Sequence, residues 1–305
     1  MAEHNLQTVS TQNFPSIVSL NTLRFTIRNA VEQDTHQLAN LIHFELRVHR
    51  HLDWRPPLEW IGRYPYLVAE QSGKLVAALA CPPDPPEVAW IRLFAVADDL
   101  SVNHAWEGLW PAAKAELRGS DQPVISAVIP LQNWFQKLVE KSEFTCTHNV
   151  VVLAWGGDPI ASARDLTPAM IRPMTLDDLP GVETVDRDAF THLWRHSQHS
   201  LSMALSQAAL ATVVTLSGEL LGYQISTWTT GGGHLARLAV KPQFQGVGIG
   251  YALLHDLLSQ LSQKGIRYIT VNTQHNNQVS LALYQKAGFK PTGEIYPVYE
   301  ERLGN

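Results

Sequence analysis

Leu235-Ala236-Arg237-Leu238-Ala239-Val240-Lys241-Pro242-Gln243-Phe244-Gln245-Gly246-Val247-Gly248-Ile249-Gly250-Tyr251-Ala252-Leu253-Leu254 is the stretch on which the reading of this chain turns. An apolar strand runs into a turn with glycines at 246, 248 and 250. A helix follows, with Ile249, Leu253, Leu254, Leu257, Leu258 and Leu261 on one face. Glycine has no Cβ, so successive backbone N–H groups can converge at the start of that helix, where the dipole favours negative charge. The order strand, glycine turn, helix predicts a cradle for phosphate.

Moving outward from this stretch, the chain repeats itself. Ile27-Arg28 followed by Glu32-Gln33-Asp34 returns 144 positions later as Ile171-Arg172 followed by Leu176-Asp177-Asp178. Ser72-Gly73-Lys74-Leu75 returns 145 positions later as Ser217-Gly218-Glu219-Leu220, and Ala95-Val96 returns after 144 as Ala239-Val240. Three matches at offsets of 144 or 145 predict a tandem duplication. The 305 residues are also more than one compact core usually holds. Four segments follow: a polar tail over 1–20, a first domain over 21–156, a Gly/Pro/Ser-containing linker over 157–168, and a second domain over 169–305. Each copy reads as strand, one or two helices, three strands, helix, strand, helix and closing strands. That is an α+β sandwich, a mixed central sheet flanked by helices.

Composition narrows the function classes. Hydrophobic residues make up 45% of the chain and charged residues 17%, enough for packed cores and too apolar for disorder. A net charge of -5 without a basic run argues against a nucleic-acid partner. No signal peptide or apolar stretch of bilayer-spanning length stands out, so the expectation is a cytoplasmic protein without a membrane partner. Cys81 and Cys146 have neither disulfide nor zinc spacing; buried free thiols and no metal are expected.

The copies differ where the chemistry would lie. Alignment on Val96 and Val240 sets Ser101 at Gln245, Val102 at Gly246, His104 at Gly248 and Trp106 at Gly250, so the first copy lacks the glycine turn. A second landmark, Asn277 to Phe289, is a helix with Asn277 as N-cap and Gly288 as its stop. Its counterpart, Gln132 to Phe144, has Val139 at the place of Tyr284. Both landmarks fail together in the first copy, which leaves one active copy.

These residues resemble the GCN5-related N-acetyltransferase (GNAT) superfamily over nearly the whole chain, in a tandem arrangement similar to that of mycothiol synthase. Gln245, Gly248 and Gly250 fit the family's Q/R-x-x-G-x-G/A signature, and Asn277, Leu283, Tyr284, Gly288 and Phe289 fall at its spacing. The resemblance implies acetyl-CoA as co-substrate and no metal. It implies that the amides of Gln245, Gly246, Val247, Gly248, Ile249, Gly250 and Tyr251 hold the pyrophosphate. Along Leu238, Ala239 and Val240 the strand would pair with the pantetheine arm through Leu238 and Val240, with a slot opening after Val240. Tyr284 stands where a tyrosine hydroxyl protonates the departing thiolate, and His234 where some members place a glutamate base. Asn277 reads equally as plain N-cap or cofactor contact, Tyr284 also as a core aromatic, and His234 also as a satisfied strand histidine. Glu183, Asp186, Asp188, His192, Trp194, Arg195 and His196 read as an acceptor wall or a solvated face. Tyr296 and Tyr299 either line the acceptor pocket or only pack.

The function expected is transfer of acetyl from acetyl-CoA to a primary amine, on a small molecule or a peptide, by direct attack in a ternary complex. The alternative is a non-catalytic acyl-CoA-binding regulatory or scaffold protein. Neither cysteine lies in the second copy, which argues against an acyl-cysteine intermediate.

Overall fold

The computed structural model describes residues 25–119 and 124–304, so the tail expected over 1–20 lies outside the described residues. The first half runs β1 (Thr26–Asn29), α1 (Thr35–Phe44), β2 (Arg47–Arg50), β3 (Tyr66–Gln71), β4 (Lys74–Ala80), β5 (Val88–Trp90), β6 (Leu93–Val96), α2 (Val102–Arg118), β7 (Val124–Val128), α3 (Asn133–Glu140) and β8 (Thr145–Trp155). The second runs β9 (Met170–Pro173), α4 (Leu179–Ala189), α5 (Gln198–Ser206), β10 (Leu210–Leu216), β11 (Glu219–Thr229), β12 (Gly232–Val240), α6 (Ile249–Gln263), β13 (Ile269–Gln274), α7 (Gln278–Lys286) and β14 (Lys290–Leu303). Between Trp155 and Met170 the chain has no helix or strand.

The repeated words have structural causes. Arg28 on β1 grips Asp34 with two nitrogens at 2.6 and 2.8 Å, and Arg172 on β9 grips Asp178 at 2.8 and 2.6 Å. Each carboxylate also accepts the backbone N–H that opens its turn, from Val31 and Thr175 respectively. The Ser-Gly pairs close the hairpins β3–β4 and β10–β11. Ser72 and Ser217 have φ of 51° and 50°, Gly73 and Gly218 of 77° and 87°. Two successive left-handed residues make the tight turn whose twist suits a hairpin.

Strands β1-β3-β4-β6-β2 form a five-stranded sheet. The other nine form one sheet in the order β5-β7-β14-β8-β13-β12-β11-β10-β9, and here the halves trade strands. The first half's last strand, β8, lies beside β13 of the second, in register Ile269↔Trp155 to Gln274↔Val150. The second half's last strand, β14, lies beside β7 of the first, in register Tyr299↔Val128 to Leu303↔Val124. The closing strands are exchanged rather than kept within their own copies. Tyr299 follows from this: it packs in the first half's core and donates its hydroxyl to Glu140 at 2.7 Å, away from the second half's helices.

Helices cover both faces of each half. On α6, Leu253, Leu254, Leu257, Leu258 and Leu261 are fully buried, each adding about 1.5–3 kcal/mol of burial as an upper estimate. Cys81 is buried as expected, whereas Cys146 is exposed, in the first three residues of β8, all of which face solvent. Among the described residues no helix is long and apolar enough to cross a membrane, and no group of three or more His, Cys, Asp or Glu could hold a metal.

Candidate active site

β12 lies antiparallel to β11 along its length, but pairs with β13 only at Gly233↔Ile269, His234↔Thr270 and Leu235↔Val271. Beyond Leu235 the two parallel strands part. The slot therefore opens after Leu235, five residues earlier than the expected Val240. A bulge gives the cause: Ile225 faces Arg237 and Ser226 faces Leu235, so Ala236 is the extra residue that bends β12 away from β13.

The open edge has a defined chemistry. Lys241 donates its N–H to Leu221 at 2.8 Å, so alternation turns the N–H and C=O groups of Leu238 and Val240 to the free side. The Gln245 amide donates to the Val240 carbonyl at 3.0 Å, fixing the loop to the strand end. Gly246 and Gly248 have φ of 77° and 106°, the left-handed region, and a side chain there would be strained. The Gln245 N–H is taken by the Pro242 carbonyl at 3.2 Å, so that amide is not free for a ligand, contrary to expectation. In α6 the Ala252 N–H bonds to Gly248 at 3.0 Å, which leaves the N–H groups of Ile249, Gly250 and Tyr251 without helical carbonyls. A Cβ on Gly250 would touch Leu283, Val240 and Leu238 at 3.5 to 3.9 Å. Loop, strand edge and α7 thus converge on one spot.

The same region of the first half is sealed. β6, the counterpart of Arg237–Val240, pairs with β4 on one side and with β2 on the other, in register Arg47↔Val96 to Arg50↔Leu93. Ala97 donates its N–H to Val76, as Lys241 does to Leu221, so β2 bonds the edge that stays open on β12. Aromatic rings fill the rest. Trp106 stands at Gly250's place and Phe135 at Ser280's, with Phe94 at 5.2 Å from Trp106 and 5.5 Å from Phe135, and His49 of β2 at 4.4 Å from Phe135. His49 is fully buried, and burial holds its pKa down at about 4.

Tyr284 on α7 packs with Leu235, Tyr251 and Phe289 and is 5% exposed. Burial raises its pKa, and no hydrogen bond contributes, so the hydroxyl stays protonated and available. His234 lies at the root of the split, one residue before the strands part, with Nδ1 2.9 Å from the Thr270 hydroxyl. Burial lowers its pKa, against hydrogen bonds to Asn272 and Thr270, and favours the neutral imidazole. Leu235 faces Tyr284 in the core, so alternation puts His234 on the opposite face of the sheet. Asn277 caps α7, accepting the Ser280 N–H at 3.1 Å.

One feature of the charged stretch 183–196 escaped the sequence. Asp186 is fully buried and not part of a solvated face: it accepts from Tyr223 Oη at 2.5 Å and from Arg237 Nε at 2.8 Å. Arg237 also donates to the Trp194 carbonyl at 2.6 Å, tying the segment after α4 to the slot strand. The repeat of arginine before Leu-Ala-Val and Leu-Phe-Ala-Val was its one visible trace. Trp194 then packs 5.7 Å from Trp90 of the first half, which stacks on His51 at 4.7 Å. Glu183 and Asp188 remain outside this network: Glu183 accepts the Gln198 N–H and Asp188 lies near Arg187.

Residues 179–298 match the family described as acetyltransferase (GNAT) domain. The [ribosomal protein bS18]-alanine N-acetyltransferase of Escherichia coli K12 is 25% identical over 119 residues, covering 39% of this chain and 79% of that protein. Among solved structures, a tandem GNAT protein from the clavulanic acid biosynthesis pathway has a TM-score of 0.62 at 16% identity, covering 92% of this chain and 99% of that one. A GCN5-related N-acetyltransferase from Sphaerobacter thermophilus has a TM-score of 0.59 at 17% identity, covering 92% and 96%. The fold of the whole chain is therefore that of tandem GNAT proteins.

Proposed function

We propose that this chain, an N-acetyltransferase by the GNAT domain it carries, takes its acetyl group from acetyl-CoA bound in the second half alone. The observation that carries this reading is the contrast between two edges: Leu238 to Val240 is open beside a glycine cradle, while Phe94 to Val96 is bonded by β2 and walled by Trp106 and Phe135. In this reading the domains are 21–156 and 169–305, each lending its last strand to the other.

In the slot, the N–H groups of Gly246 to Tyr251 face the pyrophosphate, and the N–H and C=O of Leu238 and the N–H of Val240 pair with the pantetheine arm, the Val240 carbonyl being held by Gln245. The thioester then lies towards Leu235, where the strands part. His234, neutral and at that root, accepts the proton of the acceptor ammonium, through water where needed. The freed amine attacks the thioester carbon; a C–N bond forms, and the negative charge on the carbonyl oxygen meets a free strand N–H. As the C–S bond breaks, Tyr284 gives its proton to the thiolate, the attacking nitrogen releases its second proton to solvent to leave the neutral amide, and the proton held at His234 returns to Tyr284 through solvent. The burial that lifts the Tyr284 hydroxyl lifts a thiolate in the same surroundings, so transfer between them stays matched.

The first half walls the acceptor side through Trp90 and His51 against Trp194. The acceptor is a primary amine, on a small molecule or at a peptide N-terminus or lysine. Thiol release from acetyl-CoA across a panel of such amines tests the reading. Acceptor-dependent release that falls about 10²-fold in Tyr284→Phe is expected. Binding with no acceptor-dependent release, indifferent to Tyr284→Phe, would leave only a cofactor-binding scaffold.

A further inference from the structure

The segment joining the halves has no helix or strand, yet it is held at both ends against α6. The Tyr251 hydroxyl donates to the Ala161 carbonyl at 2.8 Å, and Ile160 and Ala163 pack on the cluster of Leu254, Leu257 and Leu258. Further on, Leu166 and Ala169 pack against Val240, Ile249 and Leu253. Between these two attachments the segment crosses the first turn of α6 and sets Arg164 beside the glycine turn. A Cβ built on Gly248 would meet the Cβ and Cδ of Arg164 at 3.8 and 3.9 Å, so the aliphatic stem lies along that glycine in ordinary contact. Arg164 is exposed and has no carboxylate within ion-pair distance among the described residues.

From this placement we infer that Arg164, supplied by the joining segment, pairs with the diphosphate of the bound coenzyme. The inference rests on the slot being the acetyl-CoA site. An arginine laid along a turn whose amides point at an anion adds a cationic fork to a set of neutral donors. It also gives the covalent link between the halves a part in the site, beyond tethering them: the strap must lie across α6 for Arg164 to reach.

Binding titrations of the full-length protein test this, with Arg164→Ala and Arg164→Glu against acetyl-CoA, acetyl-dephospho-CoA and S-acetylpantetheine. Arg164 is exposed, so neither change threatens the fold. Arg164→Ala is expected to weaken acetyl-CoA about tenfold and Arg164→Glu more, with the same loss for the dephospho form, none for S-acetylpantetheine, and a loss that shrinks as salt is raised. Unchanged affinity in Arg164→Ala overturns the inference while leaving the slot in place. A loss that disappears with the dephospho form moves the contact to the 3′-phosphate, and a loss shared by S-acetylpantetheine reduces Arg164 to a structural role; both overturn it. Absence of acetyl-CoA binding by the unaltered protein sinks the slot reading itself.

Discussion

Tyr284 and His234 flank the place where the strands part, one buried on the helical side, the other on the opposite face. Their shifted acidities make separable predictions. Burial lowers the His234 pKa, so the imidazole is neutral from below the ordinary value of 6.5 upward, and protonation removes the base only under more acid conditions. The acid limb of kcat/KM is therefore expected below pH 6.5. His234→Gln should lower the rate and abolish that limb; a limb that persists in the variant assigns it elsewhere. Tyr284 stays protonated across the working range, so no alkaline limb near pH 10 should appear that Tyr284→Phe removes. A third test sits at the turn. Gly248→Trp puts a large side chain at a φ of 106° in the cradle and should abolish acetyl-CoA binding, while Ser101→Trp, at the exposed start of α2, should change it little.

At the scale of elements, the repeated Arg-Asp fork opens both halves and carries a pH signature. Asp178 is held down to about 2 by the Arg172 hydrogen bonds, against an ordinary 3.8 in the unfolded chain. Its contribution to stability is complete above that ordinary value and is lost as pH falls through about 2. Arg172→Ala should lower Tm by a few degrees at pH 7 and leave it equal to the parent below pH 2. A Tm difference that stays constant with pH would contradict the fork's role. The Arg-Asp words, the Ser-Gly hairpins, the Asn277 cap and the glycine turn were legible because each is a local device with its own residue signature. The closing of the first slot was not. Arg47–Arg50 is a short polar strand, and nothing in it says that it will bond to β6, whereas the counterpart segment in the second half forms the turn at His192–Trp194. The local signs of a shut site were the loss of glycines at Val102, His104 and Trp106 and the Val139 that stands at the place of Tyr284.

Across the whole molecule, the exchange of β8 and β14 joins strands of both halves in the nine-stranded sheet. Strand pairing across the chain leaves no mark in local periodicity, and for that reason the duplication was readable while the exchange was not. The burial of Asp186, named in the sequence only as an acceptor wall or solvated face, was not readable for a related reason: its partners Tyr223 and Arg237 come from two other strands, and burial of a charge is visible only once they meet. Because each half completes the other's strand order, unfolding should be a single event. Tryptophan fluorescence and far-UV circular dichroism should give coincident denaturation curves, and two separated transitions would contradict a shared sheet. The central claim is that a doubled fold keeps one working slot, the other being occupied by its own β2. Calorimetric titration of the full-length protein with acetyl-CoA measures this directly. The account predicts one equivalent per chain, lost entirely in Gly248→Trp; two equivalents, or one that survives that substitution, would contradict it.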